Sequence, residues 1–254
     1  MTPNPIRKAL STIRKHQVQF LLMGGQACVL YGGAEFSRDA DLALLCVPDN
    51  LERLRNAMVE LQAEVIAFPD FDQKYLERGH AVHFRCRHPE ATGLRIDVMA
   101  RMRGVADFPE LWERRTTIET EDGEVIEVMG IRDLVQAKKT QRDKDWPMIR
   151  RLIEAHYAQF RGTPTPERLC FWIDEMRTPM LLQEVLTMVR QAGVFPKESR
   201  KWLMEKENLT VEEIQAHLES EEQFERMEDR RYWEILKKEV ERLRLERPSR
   251  TKES

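Results

Sequence analysis

The stretch from Phe20 to Val47 most constrains what this chain can fold into, because it joins an apolar run, a glycine pair and two closely spaced aspartates. The run Phe20–Met23 predicts a buried strand that ends at Gly24–Gly25, and a second apolar run begins around Asp39 and Asp41. Alternate residues of a strand share a face, so the two carboxylates point the same way, about 7 Å apart along the chain. Such a pair repels itself, and a divalent cation is the usual reason to keep it.

The glycine pair adds a second constraint at the same place. Gly24 and Gly25 let the backbone pass close to a ligand, and a short helix predicted from Gln26 to Tyr31 would present free N–H groups to a phosphate. The alternative is a strand end at the protein surface, in which the two aspartates pair with Arg38 and its neighbours.

A third carboxylate, Asp97, lies in a later strand-like run. The runs 81–87 and 93–100 flank turn residues, which predicts a β-hairpin, and alternation puts Arg95 and Asp97 on one face of its second strand. A charge on that face needs a partner, and the metal site predicted at the two earlier aspartates would supply one. Together with a lysine and an aspartate further along the chain, Asp97 favours a catalytic site over a surface strand end.

These motifs resemble the signature of the DNA polymerase β nucleotidyltransferase superfamily, and they are most similar to its minimal and abortive-infection (AbiEii-type) members. The shared pattern is a glycine pair, thirteen intervening residues and then Asp–apolar–Asp–apolar. The family's third carboxylate matches Asp97, and its later helical motifs match Asp133-Leu134, Lys138 and Lys144-Asp145. The resemblance covers roughly the first 155 residues. Many relatives have serine after the first glycine, whereas Gly25 leaves only backbone donors for a phosphate.

The resemblance implies an α/β fold, a mixed-sheet nucleotidyltransferase domain, and an NTP-dependent, two-metal nucleotidyltransferase. Such an enzyme moves a nucleoside monophosphate from an NTP to an acceptor hydroxyl and releases pyrophosphate. By resemblance, Asp39 and Asp41 bind two Mg²⁺ (or Mn²⁺) ions; one clamps the triphosphate, and the other, shared with Asp97, lowers the pKa of the acceptor hydroxyl. Asp97 would also be a candidate to accept the proton. The residues expected at the nucleotide are Gly24, Gly25, Gln26, Arg38, Lys138 and Asp145.

Several alternatives stay open at this stage. Lys138 could equally be a solvated helix residue, and Asp145 could cap its helix. ATP is the expected nucleotide, but the acceptor could be RNA, protein or a small molecule, and a toxin–antitoxin partnership follows from the resemblance alone. The second hypothesis is a catalytically silent binding module that acts through its C-terminal helices. The three intact aspartates argue against that hypothesis.

Composition limits the partners. The formal net charge is −3 and 33% of the residues are charged, with both signs mixed, so no global footprint for nucleic acid exists. No apolar run approaches the roughly 18 residues of a membrane span, which predicts a cytoplasmic protein that does not contact membranes. Cys86 with His80, His83 and His88 hints at a zinc site, but alternation sends these side chains to different faces, which favours ordinary strand residues.

The chain is predicted to have two domains. A catalytic domain spans residues 1–160, a Gly/Pro-containing linker follows, and an all-helical C-terminal domain spans residues 167–248, with a disordered tail at 249–254. The helices are expected to pack against a partner protein or a second copy of the chain, in preference to RNA, because their positive charges are interleaved with glutamates.

Overall fold

A mixed β-sheet carries the glycine–aspartate stretch in the computed structural model, which describes residues 4–120 and 123–246. Within these described residues the strands are β1 (Phe20–Met23), β2 (Ala40–Leu44), β3 (Glu64–Val65), β4 (Val82–Arg85), β5 (Arg95–Met99), β6 (Thr116–Glu119) and β7 (Val125–Val128). Across the sheet their order is β3-β4-β5-β2-β1-β7-β6. Strand β2 runs parallel to β5 and β1 runs parallel to β7, while the other neighbours are antiparallel.

The chain divides into two compact units. The first, called the sheet unit, contains residues 4–26, 37–120, 123–130 and 230–246 of the described part of the chain. Its helices are α1 (Pro5–Lys15), the start of α2 (Gly24–Leu30), α3 (Pro48–Glu60), α4 (Gln73–Glu77) and α5 (Phe108–Glu113). The second, called the helical unit, contains residues 27–36 and 131–229.

The helical unit is built from α6 (Ile131–Lys138), α7 (Asp145–Phe160), α8 (Pro166–Glu175), α9 (Pro179–Ala192), α10 (Trp202–Glu205) and the first part of α11 (Val211–Glu246). A capping box starts α11, as the sequence predicts: the Thr210 amide donates to Glu213, and the Glu213 amide donates to the Thr210 hydroxyl. From Arg230 onward α11 belongs to the sheet unit. The predicted fold class, a mixed α/β sheet followed by a helical C-terminal part, is confirmed.

The two compact units do not coincide with the predicted boundary between residues 160 and 167. Helices α6 and α7 group with the later helices, and the end of α11 groups with the sheet. Residues in contact need not fold as an independent piece, so the division into domains 1–160 and 167–248 stays a prediction. The predicted tail 249–254 lies outside the described residues.

The predicted hairpin around Asp97 is confirmed, because β4 and β5 pair antiparallel with His83 opposite Asp97. Burial alternates along β5: Ile96 and Val98 are fully buried, whereas Arg95 and Asp97 are partly exposed. The strands of a second hairpin, β6 and β7, are also paired. Within the described ranges, no helix has the length and apolar character that crossing a membrane requires.

Asn50, in the first turn of α3, ties the start of β1 to the end of β2. The side chain is buried; its Oδ1 accepts from the Gln19 amide at 2.7 Å, and its Nδ2 donates to the carbonyls of Gln19 and Leu45 at 2.9 and 2.8 Å. The carbonyls of Gln19 and Leu45 also accept backbone hydrogen bonds, so the side-chain bonds add a second link just beyond the strand ends. Asn50 therefore helps to hold the strand pair that carries the glycine pair and Asp41.

Replacing Asn50 with alanine is expected to lower the free energy of unfolding by about 1–3 kcal/mol, because three hydrogen bonds of a buried side chain are lost. Urea unfolding of the full chain measures this change. Asn56→Ala is the matched control, since Asn56 is exposed on the same helix. Equal effects of the two substitutions would contradict the role given to the Asn50 side chain.

Candidate active site

The carboxylate of Asp41 packs against the turn between β1 and α2. Asp41 lies opposite Met23 in the strand register, and its Oδ2 accepts a hydrogen bond of 3.3 Å from the Gly25 amide. Gly24 has a φ of +64°, and a Cβ at that position would lie 1.9 Å from Asp41 Oδ2. Only glycine satisfies both conditions, so the glycine pair is what allows the carboxylate to approach the backbone.

Ser37 occupies the space beside the second glycine. A Cβ on Gly25 would lie 2.4 Å from the Ser37 hydroxyl oxygen, so a side chain at residue 25 would displace Ser37. Gln26 holds the same loop, since its Nε2 donates to the Ser37 carbonyl at 2.8 Å. Gln26, expected at the nucleotide, is thus engaged with the protein backbone, and its contact with a nucleotide stays a prediction.

Asp97 lies beside Asp41 on the neighbouring strand. The parallel strands β2 and β5 pair Asp41 with Asp97 in register, and neighbouring strands are about 4.8 Å apart. Continuing the register by one residue brings Asp39, just before β2, level with Arg95. The backbone register therefore places the three predicted catalytic aspartates at neighbouring positions on two adjacent strands.

Two side chains already bind Asp97. The Arg95 Nε donates to its Oδ1 at 2.7 Å, and His83 Nδ1 lies 2.8 Å from the same oxygen. His83 Nδ1 is also 3.0 Å from Arg95 Nη2. One ring nitrogen cannot donate and accept at once, so the charged carboxylate is its partner when Nδ1 carries the proton.

These contacts set the charge state of Asp97. Burial would raise the pKa of its carboxyl, but the hydrogen bonds from His83 and Arg95 outweigh burial and hold the pKa below its usual range. The pKa of Arg95 is raised, first by its hydrogen bond to Asp97 and further by the negative charges of Asp97, Asp39 and Asp41. A carboxylate held in this way is a weak base, so the arrangement favours Asp97 as a ligand rather than as the acceptor of a proton.

Whether these residues fit a metal ion depends on whether the ion is held by protein ligands alone or is brought by the substrate. Within residues 4–120 and 123–246, no three His, Cys, Asp or Glu side chains are gathered closely enough to hold a metal ion. However, Mg²⁺ commonly takes only one or two protein carboxylates and completes its shell with water and substrate phosphates. The neighbouring carboxylates of Asp41 and Asp97 fit that kind of site, with Asp39 close by, and do not fit a resident ion enclosed by protein.

The other predicted site residues lie in different surroundings. Arg38 is exposed and Asp39 half-buried in the loop that leads into β2. Lys138 and Asp145 belong to the helical unit, where both side chains are buried and Lys138 Nζ lies 3.2 Å from Asp145 Oδ1. Thr140 Oγ1 and Arg142 Nε also donate to Asp145. This network gives the pair a structural role, and its contact with a nucleotide stays a prediction.

Sequence reasoning missed the pairing of Arg95 and His83 with Asp97, and it missed Ser37. For Arg95 a signal existed, because alternation already placed it on the face of Asp97. For His83, counting back from the hairpin turn places it opposite Asp97. Two of the four residues considered for a zinc site around Cys86 have other partners. His83 binds Asp97, and the buried His80 contacts Glu239 in the sheet unit.

Comparison with known proteins adds a remote likeness of fold. No protein-family model matches the chain, and no curated protein matches it either. Among solved structures, a candidate nucleotidyltransferase from H. pylori is 13% identical, with a TM-score of 0.40, over 89% of this chain and 94% of that chain.

Two further solved structures are similar at the same level. JHP933 from Helicobacter pylori is 14% identical, with a TM-score of 0.38, over 91% of this chain and 94% of that one. The antibiotic-resistance factor ANT(2'')-Ia is 12% identical, with a TM-score of 0.33, over 85% of this chain and 90% of that one. At these values the function has to be argued from the site itself.

Proposed function

We propose that this chain is a nucleotidyltransferase that transfers a nucleoside monophosphate from an NTP to an acceptor hydroxyl. The observation that carries the proposal is the register of β2 and β5, which pairs Asp41 with Asp97 while the Asp41 carboxylate packs against Gly24 and Gly25. Carboxylates grouped beside a glycine turn suit a triphosphate that brings its own divalent cation.

In the proposed reaction the acceptor oxygen bonds to the α-phosphorus as the bond from that phosphorus to the bridging oxygen breaks. Pyrophosphate leaves with the electron pair, and the proton of the acceptor passes to water. Asp41 and Asp97, with Asp39, would hold Mg²⁺, which when bound supplies positive charge to the triphosphate and the attacking oxygen. The protein itself contributes position: the turn at Gly24 orients Asp41, while His83 keeps Asp97 ionised.

A second candidate, a silent binding module with the same fold, is favoured by one observation. The carboxylate of Asp97 already has Arg95 and His83 as partners, so this part of the site is paired without any ligand. A protein that uses this fold only to bind a partner would need nothing more. In the first candidate, Asp97 must release Arg95 before a nucleotide with its cation can bind. In the second, the pair of Arg95 and Asp97 persists.

Incubation with labelled nucleotides distinguishes the two. The full chain is mixed with each α-labelled NTP, Mg²⁺ and a cell lysate, and the label is then sought in RNA, in protein and in small molecules. Transfer that stops in EDTA, with release of pyrophosphate, is the expected result. ATP is the expected donor, and the labelled fraction identifies the acceptor class.

The matched control uses γ-labelled NTP under the same conditions. Nucleotidyl transfer leaves the γ-phosphate in pyrophosphate, so no acceptor should carry this label. Transfer of the γ-label alone would indicate a kinase and contradict the proposal. Absence of transfer from either nucleotide, with a protein of the lysate retained on the chain, would favour the binding module.

A further inference from the structure

Arg95 lies at the centre of the predicted acidic site. Its Nε is 2.7 Å from Asp97 Oδ1, and the charges of Asp39 and Asp41 also act on it. Arg95 and Asp97 are two residues apart on β5, so both side chains project from the same face of the sheet. The guanidinium bonded to Asp97 is therefore part of the same strand as the carboxylate.

The charge of Arg95 cannot be removed by titration, because a guanidinium stays protonated throughout the range in which proteins are folded. Arg95 can leave the carboxylates only by moving. Its side chain is 38% exposed, whereas that of Asp97 is 16% exposed, so the guanidinium can turn toward water while the carboxylate stays in place. A long side chain at the edge of a site is suited to such a change of position.

A divalent cation and the Arg95 guanidinium need the same carboxylate oxygens. Two cations held a few ångströms apart repel each other strongly at the margin of a protein, so both cannot stay close to Asp97 Oδ1. Without Arg95, the repulsion between Asp97 and the neighbouring carboxylates would increase when no ligand is present. The same residue thus stabilises the empty site and opposes the ion that fills it.

We propose that Arg95 is an internal counter-ion, which pairs with the carboxylate of Asp97 when no nucleotide is bound and must leave Asp97 before a divalent cation binds. This inference rests on the proposed function and adds its regulation. The affinity for the metal ion alone is kept low, and the ion enters with the negatively charged triphosphate, which gives the displaced guanidinium a new partner. Free Mg²⁺ would then not fill the site ahead of the substrate.

The test is a titration of the full chain with Mn²⁺, followed by the electron paramagnetic resonance signal of the free ion. Arg95→Gln and Arg95→Met remove the charge, and both should bind Mn²⁺ about tenfold more tightly than the wild type. Arg95→Lys keeps the charge and should stay within about twofold of the wild type. The matched control is Arg85→Gln, because Arg85 lies directly opposite Arg95 on β4 and does not bond to Asp97.

Two neutral variants keep the test usable if one of them fails to fold, and thermal melting in EDTA shows which variants are folded. The neutral variants should melt below the wild type in EDTA and regain stability with Mn²⁺. Equal Mn²⁺ affinity in the wild type and the neutral variants, or weaker binding by the neutral variants, would overturn the role of Arg95 and leave the proposed function standing. No binding by any variant, with or without NTP, would overturn the metal site and the proposed function together.

Discussion

Asp41→Asn is expected to lower the rate of nucleotidyl transfer at least about 1,000-fold while the protein stays folded. Asparagine keeps the size of the side chain and an oxygen that can accept the Gly25 amide, so the turn at the glycine pair is preserved. The negative charge that would hold the cation is lost, and charge stabilisation of this kind contributes several kcal/mol to catalysis. The rate of label transfer from the α-labelled nucleotide measures the change.

Asp107→Asn is the matched control, because Asp107 is exposed in the same unit and its side chain makes no capping hydrogen bond. The control should transfer label at the wild-type rate. In EDTA, Asp41→Asn should melt no lower than the wild type, since one of three neighbouring negative charges has been removed. If the variant keeps more than about a tenth of the wild-type rate, Asp41 is not part of the catalytic site.

Asp145→Asn is expected to lower the free energy of unfolding by about 3–5 kcal/mol at pH 7, because it leaves the buried ammonium of Lys138 without its counter-charge. Burial would raise the pKa of Asp145, but the charges of Lys138 and Arg142 outweigh burial and lower it. A carboxyl whose folded pKa is depressed contributes stability above its unfolded pKa, about 3.9, and loses it as the pH falls through the folded value. The difference between the wild type and the variant should therefore shrink below about pH 4 in urea unfolding experiments.

The double variant Lys138→Met/Asp145→Leu is the control for this pair. Replacing both members of a buried ion pair with apolar residues is often nearly neutral, so the double variant should recover most of the lost stability. If Asp145→Asn instead keeps the stability of the wild type and weakens NTP binding, the pair belongs to the nucleotide site, as the family resemblance implies.

Local pattern was sufficient to predict the strands that carry the aspartates. Alternation along β5 put Arg95 and Asp97 on one face, and the glycine pair predicted a turn where the backbone can pass close to a ligand. The pairing of β2 with β5 could not be predicted in the same way. Parallel strands distant in sequence have no turn to fix their register, and the contact between Asp41 and Asp97 depends on it.

The burial of charged residues could not be predicted from the sequence either. Lys138 and Asp145 lie in polar sequence, so nothing local indicated that they are buried and bonded to each other. The packing of the end of α11 was also hard to predict, because its mixed charges resemble those of a solvated helix. There Glu239 contacts Arg78 and the buried His80, and Leu236 is buried. These contacts join residues far apart in sequence, which a periodic pattern does not encode.

The return of α11 to the sheet unit affects how the protein is made. The sheet unit consists of segments separated by residues 131–229, so a ribosome must synthesise this whole stretch before residues 230–246 are available. At 5–20 residues per second the delay is roughly 5–20 s. During that time the surface around His80 lacks the end of α11 that packs on it. The nascent chain then exposes residues that are buried in the finished protein. We therefore expect folding of the sheet unit to be completed only late in translation, later than for a sheet that is encoded without interruption.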